Sequence, residues 1–545
     1  MSATESGAPP PRQSAGAFAP LAQRLFAVLW VATVLGNVGS FMRDVASAWL
    51  VTDLSSSPLA VSAIQAAGAL PAFLLAVPAG VLSDILDRRH LLVGLLIFLG
   101  TVSLLLSLLA ATGQASVESL VMLTFLGGVG AALAAPSWQA IVPELVPRSD
   151  LRAAVALNSL GFNIARAIGP AAGGLIVAVL GAAATYLFDV VTDLLVVGAL
   201  LWWRRKAASD DGLREHFGGA LRAGLRYARA SRPLRAVLVR STLFFLCASA
   251  IWALLPIVAR RELGGGPGLY GILLGSVGAG AIAGAIVMPR LRTRLGHDGL
   301  ILAAFVLMAA VIAFVATTNA AIPAVAGTFL LGIAWIAVLT TLNGTAQAVL
   351  PDWVRGRGLA IYLTAQGGAM TAGSLLWGAY AARAGTSLAL LTAAGLLILL
   401  AAFIGVRQSA LPAGEADLTP SGHWAEPEMA AAPDHDRGPV MVSIAYRVRA
   451  ENRPAFLEAI GRLSAERRRD GAYAWGVAED AADPERLVEW FFVESWAEHL
   501  RQHRRVSKAD ADMQADLARH HVGPVPPVVR HLLGLDPRPP GPPAG

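Results

Sequence analysis

Six charged residues lie inside long apolar stretches of the sequence, where an unpaired charge is unfavourable. They are Arg43, Asp44, Arg166, Asp189, Asp193 and Arg240. At the centre of a membrane-spanning helix such a side chain costs about 3 kcal/mol unless it is paired or hydrated. Buried carboxylates with arginine neighbours can bind and release protons, and the candidates for proton coupling are Arg43, Asp44, Arg166, Asp189 and Asp193.

The depth of each charge in its apolar stretch follows from a helical rise of about 1.5 Å per residue. Arg166 and Asp193 fall near the middle, whereas the other three candidates lie nearer the outer end. We hypothesise that Asp193, beside Arg166, takes up and releases a proton. Burial opposes the charged carboxylate and a neighbouring guanidinium favours it, so small movements could switch its protonation. A static buried ion pair is the alternative.

Six amide side chains within the same apolar stretches could hydrogen-bond to a substrate in a cavity. These substrate-cavity candidates are Gln65, Asn158, Asn163, Asn343, Gln347 and Gln366. A contact between neighbouring helices is the more common role for each such side chain.

The composition indicates a membrane protein. The chain has 545 residues, of which 55% are hydrophobic and only 15% charged, and its mean hydropathy is +0.58. The net charge of +6 does not indicate nucleic-acid binding, because the arginines separate apolar stretches instead of covering one face. Cys247 is the only cysteine, so no internal disulfide can form, and no metal site or other cofactor is indicated. A phosphate-binding Gly-x-x-x-x-Gly-Lys-Ser/Thr loop is absent, so ATP hydrolysis is not expected.

Twelve apolar stretches are long enough to cross a bilayer, which needs roughly 20 residues. They are 25–50, 59–82, 91–111, 117–141, 155–179, 182–203, 235–258, 268–289, 298–317, 321–349, 359–383 and 386–407. The predicted fold is therefore an all-α polytopic membrane protein of two six-helix halves, 25–203 and 235–407. Arginines concentrate in alternate loops and in a central loop, 204–234, which predicts that both termini and this loop are cytoplasmic.

Short segments repeat between the two halves. Asp53-Leu-Ser-Ser-Ser-Pro58 reappears as Glu262-Leu-Gly-Gly-Gly-Pro267, and the stretch 137–143 reappears as 345–351, each roughly 208 residues later. Parallel repeats of this kind build many secondary transporters, in which substrate binds near the midplane between the halves and access alternates from side to side.

The loop after the second stretch, Gly80-Val-Leu-Ser-Asp84-Ile-Leu-Asp87-Arg88-Arg89, resembles the signature of the major facilitator superfamily, Gly-x-Leu-x-Asp-Arg-x-Gly-Arg-Arg. It departs from that signature at Ile85 and Asp87. The resemblance implies a conformational latch made by Gly80, Asp84, Asp87, Arg88 and Arg89, which helps to close the cytoplasmic side in one transport state. An ordinary basic cytoplasmic loop is the alternative.

The segment Gly169-Pro170-Ala-Ala-Gly173-Gly174 resembles the Gly-Pro-x-x-Gly-Gly motif of exporters in that superfamily. Together with the stretches 142–147, 158–160 and 166–170, it resembles the branch of enterobactin-type siderophore exporters and macrolide efflux proteins. This resemblance implies proton-coupled export of small amphipathic compounds across a bacterial inner membrane. An importer of the same fold is the alternative, and close helix packing could by itself require these glycines.

The C-terminal part has the composition of a soluble domain. Residues 1–24 and 536–545 are predicted to be tails, the first of them disordered, and 408–438 a flexible linker. Alternating apolar residues predict strands at 442–448, 473–477, 487–493 and 525–533, with helices around 456–463 and 496–520. This order predicts an α+β ferredoxin-like domain over 439–535.

The segment Trp490–Trp496 with Glu498–His503 resembles the antibiotic-biosynthesis-monooxygenase-like family, whose members usually pair as dimers. The resemblance implies an accessory or dimerising domain, and a membrane-tethered oxygenase is the alternative. His499, His503, His520 and His521 could suggest a metal, but a polar helix face is the preferred interpretation. The predicted partners are thus lipid, a small-molecule substrate, protons and a second copy of the chain, without nucleic acid, and no catalytic residues are assigned.

Overall fold

A computed structural model describes residues 18–147, 149–203, 217–351, 353–407, 417, 419, 421, 422, 424 and 437–535. Most of the predicted N-terminal tail, most of the predicted linker and the whole C-terminal tail lie outside this part of the chain. Of the N-terminal segment, Ala19–Ala22 form one 3₁₀ turn.

The first half consists of five helices. They are α1 (Arg24–Leu54), α2 (Pro58–Ile85), α3 (Arg88–Ala111), α4 (Val117–Leu145) and α5 (Leu151–Trp202). Their starts follow local sequence rules. Pro58 stands in the first turn of α2, where its missing N–H is not needed. The Asp87 carboxylate accepts a hydrogen bond from the His90 backbone N–H at the start of α3, and Ser116 and Ser119 cap α4 reciprocally.

The second half follows a shorter helix, α6 (Phe217–Ala230). It consists of α7 (Arg232–Ile257), α8 (Pro267–Thr317), α9 (Ala321–Ala348), α10 (Arg355–Ala384) and α11 (Thr386–Arg407). All twelve predicted apolar stretches fall within these helices to within one residue. Among the described residues, nine helices are long and apolar enough to cross a membrane by length and composition.

Helices α5 and α8 each contain two of the predicted stretches and turn at a glycine. Gly181 has φ 83° and Gly296 has φ 67°, a left-handed backbone conformation that residues with a Cβ rarely adopt. A straight helix of 52 residues such as α5 would be about 78 Å long, more than twice the hydrocarbon thickness of about 30 Å. These glycines are therefore the points at which the chain can reverse its direction.

The prediction that 204–234 is a loop is wrong in its second part, because α6 occupies Phe217–Ala230. This helix is amphipathic, and its 14 residues are too few and too polar to span a membrane. Arg226 and Arg229, which indicated a loop, instead belong to this helix.

The chain divides into two compact units. The helical unit comprises Met1–Asp211, Ser241–Thr341 and Leu363–Gln408, and the mixed unit comprises Gly212–Arg240, Leu342–Tyr362 and Ser409–Gly545. The mixed unit thus includes α6 and the connection between α9 and α10 in addition to the C-terminal domain.

The C-terminal domain is built around a four-stranded antiparallel sheet. Its elements are β1 (Val440–Arg447), α12 (Arg453–Asp470), β2 (Ala474–Asp480), β3 (Asp483–Val493), α13 (Trp496–Arg505), α14 (Lys508–Ala518) and β4 (Val528–Leu533), with strand order β2-β3-β1-β4. The alternation seen in the sequence is present in β1, where every second side chain points inward and is buried. The predicted helical region 496–520 consists of two helices, because Val506 ends α13 and Ser507 caps α14.

Within the mixed unit, the C-terminal domain contacts α6 and the α9–α10 connection. Arg226 of α6 donates to Glu498 of α13 over 2.8 Å. The Arg505 guanidinium lies 4.2 Å from the centre of the Trp353 ring. The Tyr227 hydroxyl donates to the Val349 carbonyl over 2.7 Å. These contacts join three separate segments of the chain into one body.

Candidate functional site

A buried ion pair joins α1 to α5 in the helical unit. Nη1 of Arg43 donates to Oδ2 of Asp189 over 2.9 Å, and the side chains are 10% and 0% exposed. The Ser103 hydroxyl of α3 donates to the same carboxylate oxygen over 2.7 Å. Asp44 lies 3.5 Å from Nη2 of Arg43 and is mostly exposed. Three of the five predicted proton-coupling residues therefore form one charged group.

Glycine makes room for this group between the helices. A Cβ on Gly39 of α1 would lie 2.2 Å from Oγ1 of Thr192 and 2.8 Å from Oδ1 of Asp189, so α1 and α5 could not approach as closely with any other residue there. The close approach brings the Arg43 guanidinium to the Asp189 carboxylate.

Asp193 lies one turn further along α5 and has no ion pair in the part of the chain that the structure describes. It is 3% exposed, and its Oδ2 atom has no hydrogen-bond partner there. Asp193 faces α3, since a Cβ added to Gly100 of α3 would lie 3.8 Å from the Cβ of Asp193. A buried carboxyl group without partners is stable only as the neutral acid or when movement or water supplies a partner.

The predicted proximity of Asp193 and Arg166 is not found. The Arg166 guanidinium lies instead 4.9 Å from the centre of the Phe162 ring, one turn away on its own helix. The two residues belong to the two arms of α5, on opposite sides of the turn at Gly181. The guanidinium nearest to this group of carboxylates is that of Arg43.

We expect that Arg43→Met will lower the stability of the folded chain by about 3–5 kcal/mol, because it leaves Asp189 buried without its partner. Thermal unfolding of the purified protein in detergent should show a clear fall in apparent Tm. The double variant Arg43→Met/Asp189→Leu should recover most of that loss, while Arg383→Met, at an exposed position of α10, serves as the control. Equal Tm values for Arg43→Met and Arg383→Met would contradict the expectation.

The predicted latch residues contact parts of the first half that the sequence did not indicate. Nη1 of Arg88 donates to Oε1 of Glu144 at the end of α4 over 3.0 Å. Arg89 donates to the carbonyls of Leu200 and Leu201 near the end of α5 over 2.8 and 2.7 Å. Arg89 thereby binds the negative end of the α5 helix dipole.

Of the remaining latch residues, Asp87 directly precedes α3 and Gly80 belongs to α2. Asp87 caps α3, and a Cβ on Gly80 would meet no atom within 4 Å. The side chain of Asp84 lies outside the described residues. The role of these residues in closing one side of the protein stays a prediction.

The first repeated segment contacts the two arginines that precede the second one, a contact that sequence analysis missed. Arg260, in the π-helical turn Val258–Glu262 that follows α7, forms an ion pair with Asp53, and its Nη1 also donates to Oγ1 of Thr52 over 2.9 Å. Arg261 donates to the Ser56 carbonyl over 2.6 Å. These residues line a cavity of about 280 Å³. Asp53 and Ser56 belong to the first repeat and the arginines directly precede the second, so charged side chains here join the two halves.

The predicted exporter motif makes close helix contacts. A Cβ on Gly174 of α5 would lie 2.5 Å from the Pro267 carbonyl oxygen, and one on Gly271 of α8 would lie 2.5 Å from the Pro170 carbonyl oxygen. Gly169 and Gly173 face α1 in the same way, with their Cβ positions 2.7 and 2.8 Å from atoms of Phe41 and Met42. The motif therefore packs α5 against one helix of each half.

The predicted cavity amides are dispersed. Nδ2 of Asn163 donates to the Ser159 carbonyl of its own helix over 2.8 Å, and Gln347 donates to Asn343 over 3.2 Å in the mixed unit. Gln65, Asn158 and Gln366 are half-buried. Local helical contacts thus explain three of the six, and a substrate role for any of them stays a prediction.

Among the described residues, one group of side chains has the nitrogen spacing of a metal site. It consists of His499, His503 and His531 in the C-terminal domain. His499 is 1% exposed, so the interpretation of α13 histidines as a polar helix face is wrong for this residue. His521 accepts a hydrogen bond from the Arg447 backbone N–H, and His520 packs against Phe456.

Comparison with known proteins gives a consistent result. A family model described as transmembrane secretion effector matches residues 15–539. The chain is 25% identical over 262 residues to the staphyloferrin A transporter of Staphylococcus aureus and 22% identical over 265 residues to macrolide efflux protein A of Streptococcus pyogenes. Both matches cover 48% of this chain and 65% of the relative, so the chain spans somewhat less than two thirds of their length.

Solved structures share the helical architecture. A mutant of the nucleoside transporter NupG has a TM-score of 0.60 at 12% identity, covering 70% of this chain and 100% of that one. A bacterial homologue of the human lysosomal transporter Spinster has a TM-score of 0.55 at 14% identity, covering 70% and 95%. At such identities the likeness shows the fold alone.

Proposed function

Since the chain belongs to the transmembrane secretion effector family, a family of major facilitator superfamily transporters, we propose that it exports small amphipathic compounds across a bacterial inner membrane in exchange for protons. Efflux-type relatives support the direction of transport, because the similar proteins include a macrolide efflux protein and a staphyloferrin transporter. The chain is a multi-pass membrane protein, and its membership in a transporter family agrees with the prediction that it is not an enzyme.

The observation on which the proton coupling rests is the group formed by Arg43, Asp189 and Asp193. It contains two buried carboxylates and one guanidinium, so one carboxyl lacks a counter-charge. Neutral Asp193 fits the surroundings described above. A charged Asp193 would compete with Asp189 for Arg43, and this competition would couple its protonation to the contact between α1 and α5.

The proposed transport cycle uses the contacts at the helix ends. The Arg260–Asp53 pair links the two halves, and in the predicted orientation it lies on the outer side. Release of a compound outward then requires this pair to separate. Both side chains are more than one third exposed, so the pair contributes only about 0–1 kcal/mol and can open without a large barrier.

We further propose twelve membrane spans with cytoplasmic termini. The turns at Gly181 and Gly296 support two spans in each of α5 and α8, and α10 supplies a span that is less apolar than the others. The distribution of arginines in alternate loops supports the orientation.

For the C-terminal domain we propose a ferredoxin-like fold with a regulatory or dimerising role. The strand order β2-β3-β1-β4 supports the fold. The sheet face opposite the helices supports self-association, because it bears Tyr473, Val528 and Leu532, each about half exposed. The resemblance to monooxygenases stays a prediction for this domain.

The test of export is the accumulation of a panel of amphipathic compounds in an efflux-deficient bacterial host that expresses the chain. We expect severalfold lower accumulation of at least one compound, and a return to the level of the empty host when a protonophore collapses the proton gradient. The control is the same host expressing an equal amount of Arg43→Met/Asp189→Leu in the membrane. Higher accumulation in the expressing cells would indicate uptake and refute export.

A further inference from the structure

Three imidazole rings converge in the C-terminal domain on elements that are distant in sequence. His499 and His503 are four residues apart on α13 and therefore share one face of that helix. His531 lies on β4 opposite Val442 of β1, a buried residue, and directly opposed residues point to the same side of a sheet. One nitrogen of each ring lies within 4.8 Å of the others.

The spacing of the rings suits coordination of one ion. The Nε2 atoms of His499 and His503 are 3.1 Å apart. Two nitrogens at about 2.0–2.1 Å from a common metal are about 2.9 Å apart at a right angle and about 3.4 Å apart at the tetrahedral angle. The centre of the His531 ring lies 4.7 Å from that of His499, so a small shift of its side chain would complete a three-nitrogen set.

A hydrogen bond between His499 and His503 accounts for two of the three rings and leaves the approach of His531 unexplained. One ion held between the three nitrogens accounts for all three.

We propose that His499, His503 and His531 bind one divalent transition-metal ion of the imidazole-preferring class, Zn²⁺, Co²⁺, Ni²⁺ or Cu²⁺. Three protein ligands leave a coordination position for water or another small ligand. The site belongs to the C-terminal domain, and it is independent of whether the helical unit exports, imports or is driven by protons.

The first experiment measures metal content. The full-length chain, purified in detergent with an affinity tag that contains no histidine, is stripped with EDTA, incubated with Zn²⁺ and desalted before mass-spectrometric metal analysis. We expect about one Zn²⁺ per chain. His503→Ala and His531→Ala should each weaken binding by at least about 100-fold in a competition with a chromogenic chelator, because each removes one of three ligands. His520→Gln, which changes a histidine of the same domain outside the cluster, should bind as the unaltered chain does.

Spectroscopy of the unaltered chain tests the ligands of the metal without relying on the folding of a variant. Co²⁺ loading of the unaltered chain should give visible absorption bands of a low-symmetry site, and Cu²⁺ should give nitrogen superhyperfine splitting in its electron paramagnetic resonance spectrum. His503→Ala and His531→Ala are at half-buried positions, and their folding is checked by gel filtration and Tm without metal. Zn²⁺ that stays bound with unchanged affinity in both folded variants, or an unaltered chain that binds none, would overturn the proposal.

Discussion

Replacing Asp193 with asparagine is expected to reduce proton-driven efflux at least tenfold while the protein remains folded in the membrane. The amide has nearly the shape of the carboxyl group but cannot release or take up a proton. Because Asp193 has no ion pair among the described residues, the substitution breaks no salt bridge, and stability should change little. The effect should therefore appear in coupling and not in the amount of protein.

Proteoliposomes with a trapped pH indicator, together with a compound found in the accumulation screen, provide the measurement. Addition of the compound should change the internal pH with the unaltered chain and leave it unchanged with Asp193→Asn. Asp193→Glu should retain part of the signal, and Asp512→Asn, which neutralises an exposed carboxylate of α14, should retain all of it. A full proton signal from Asp193→Asn would show that another group carries the proton.

Substituting Gly271 with valine is expected to cause a large loss of folded protein. A Cβ there would lie 2.5 Å from the Pro170 carbonyl oxygen and 2.9 Å from Cα of Gly174. Both are backbone atoms, so no rotation of a side chain can relieve the clash, and α5 and α8 must move apart. Overpacking usually costs about 1–3 kcal/mol, and contact with backbone places this variant at or above the upper end.

Gly268→Val is the matched control, since it lies one turn earlier on α8 and its Cβ would meet no atom within 4 Å. Fluorescence-detected gel filtration of solubilised membranes should give a sharp peak for the control and an aggregated or absent peak for Gly271→Val. If the two variants had equal peaks and equal Tm values, the glycine contact between α5 and α8 would not be required for folding.

The membrane helices and their repeats were predictable because their signal is local. An apolar stretch of about 20 residues can be recognised without knowing what packs against it. The strands of the C-terminal domain were recognisable from their alternating apolar and polar residues. Helix α6 was missed since 14 residues rich in arginine satisfy neither pattern.

The partners of the charged residues were not predictable to the same degree. Position along a helix gives the depth of a residue but not the direction of the helix face relative to distant helices. Arg166 and Asp193 matched in depth, yet Arg43 pairs with Asp189, 146 residues away. Likewise His499 and His503 were visible as a pair on one helix, whereas His531 joins them only through the pairing of β4 with β1.

The union of α6, the α9–α10 connection and the C-terminal domain in one unit has a practical consequence for truncation. A chain shortened at the start of the linker would lack the contact of the Arg505 guanidinium with the Trp353 ring. It would also lack the ion pair between Glu498 and Arg226. It would retain, without that cover, the apolar cluster of Tyr227, Leu234, Leu350 and Val354. Low yield or lost transport after such a deletion would therefore report damage to the remaining helices as well as the missing domain, and point substitutions are the cleaner way to separate the two.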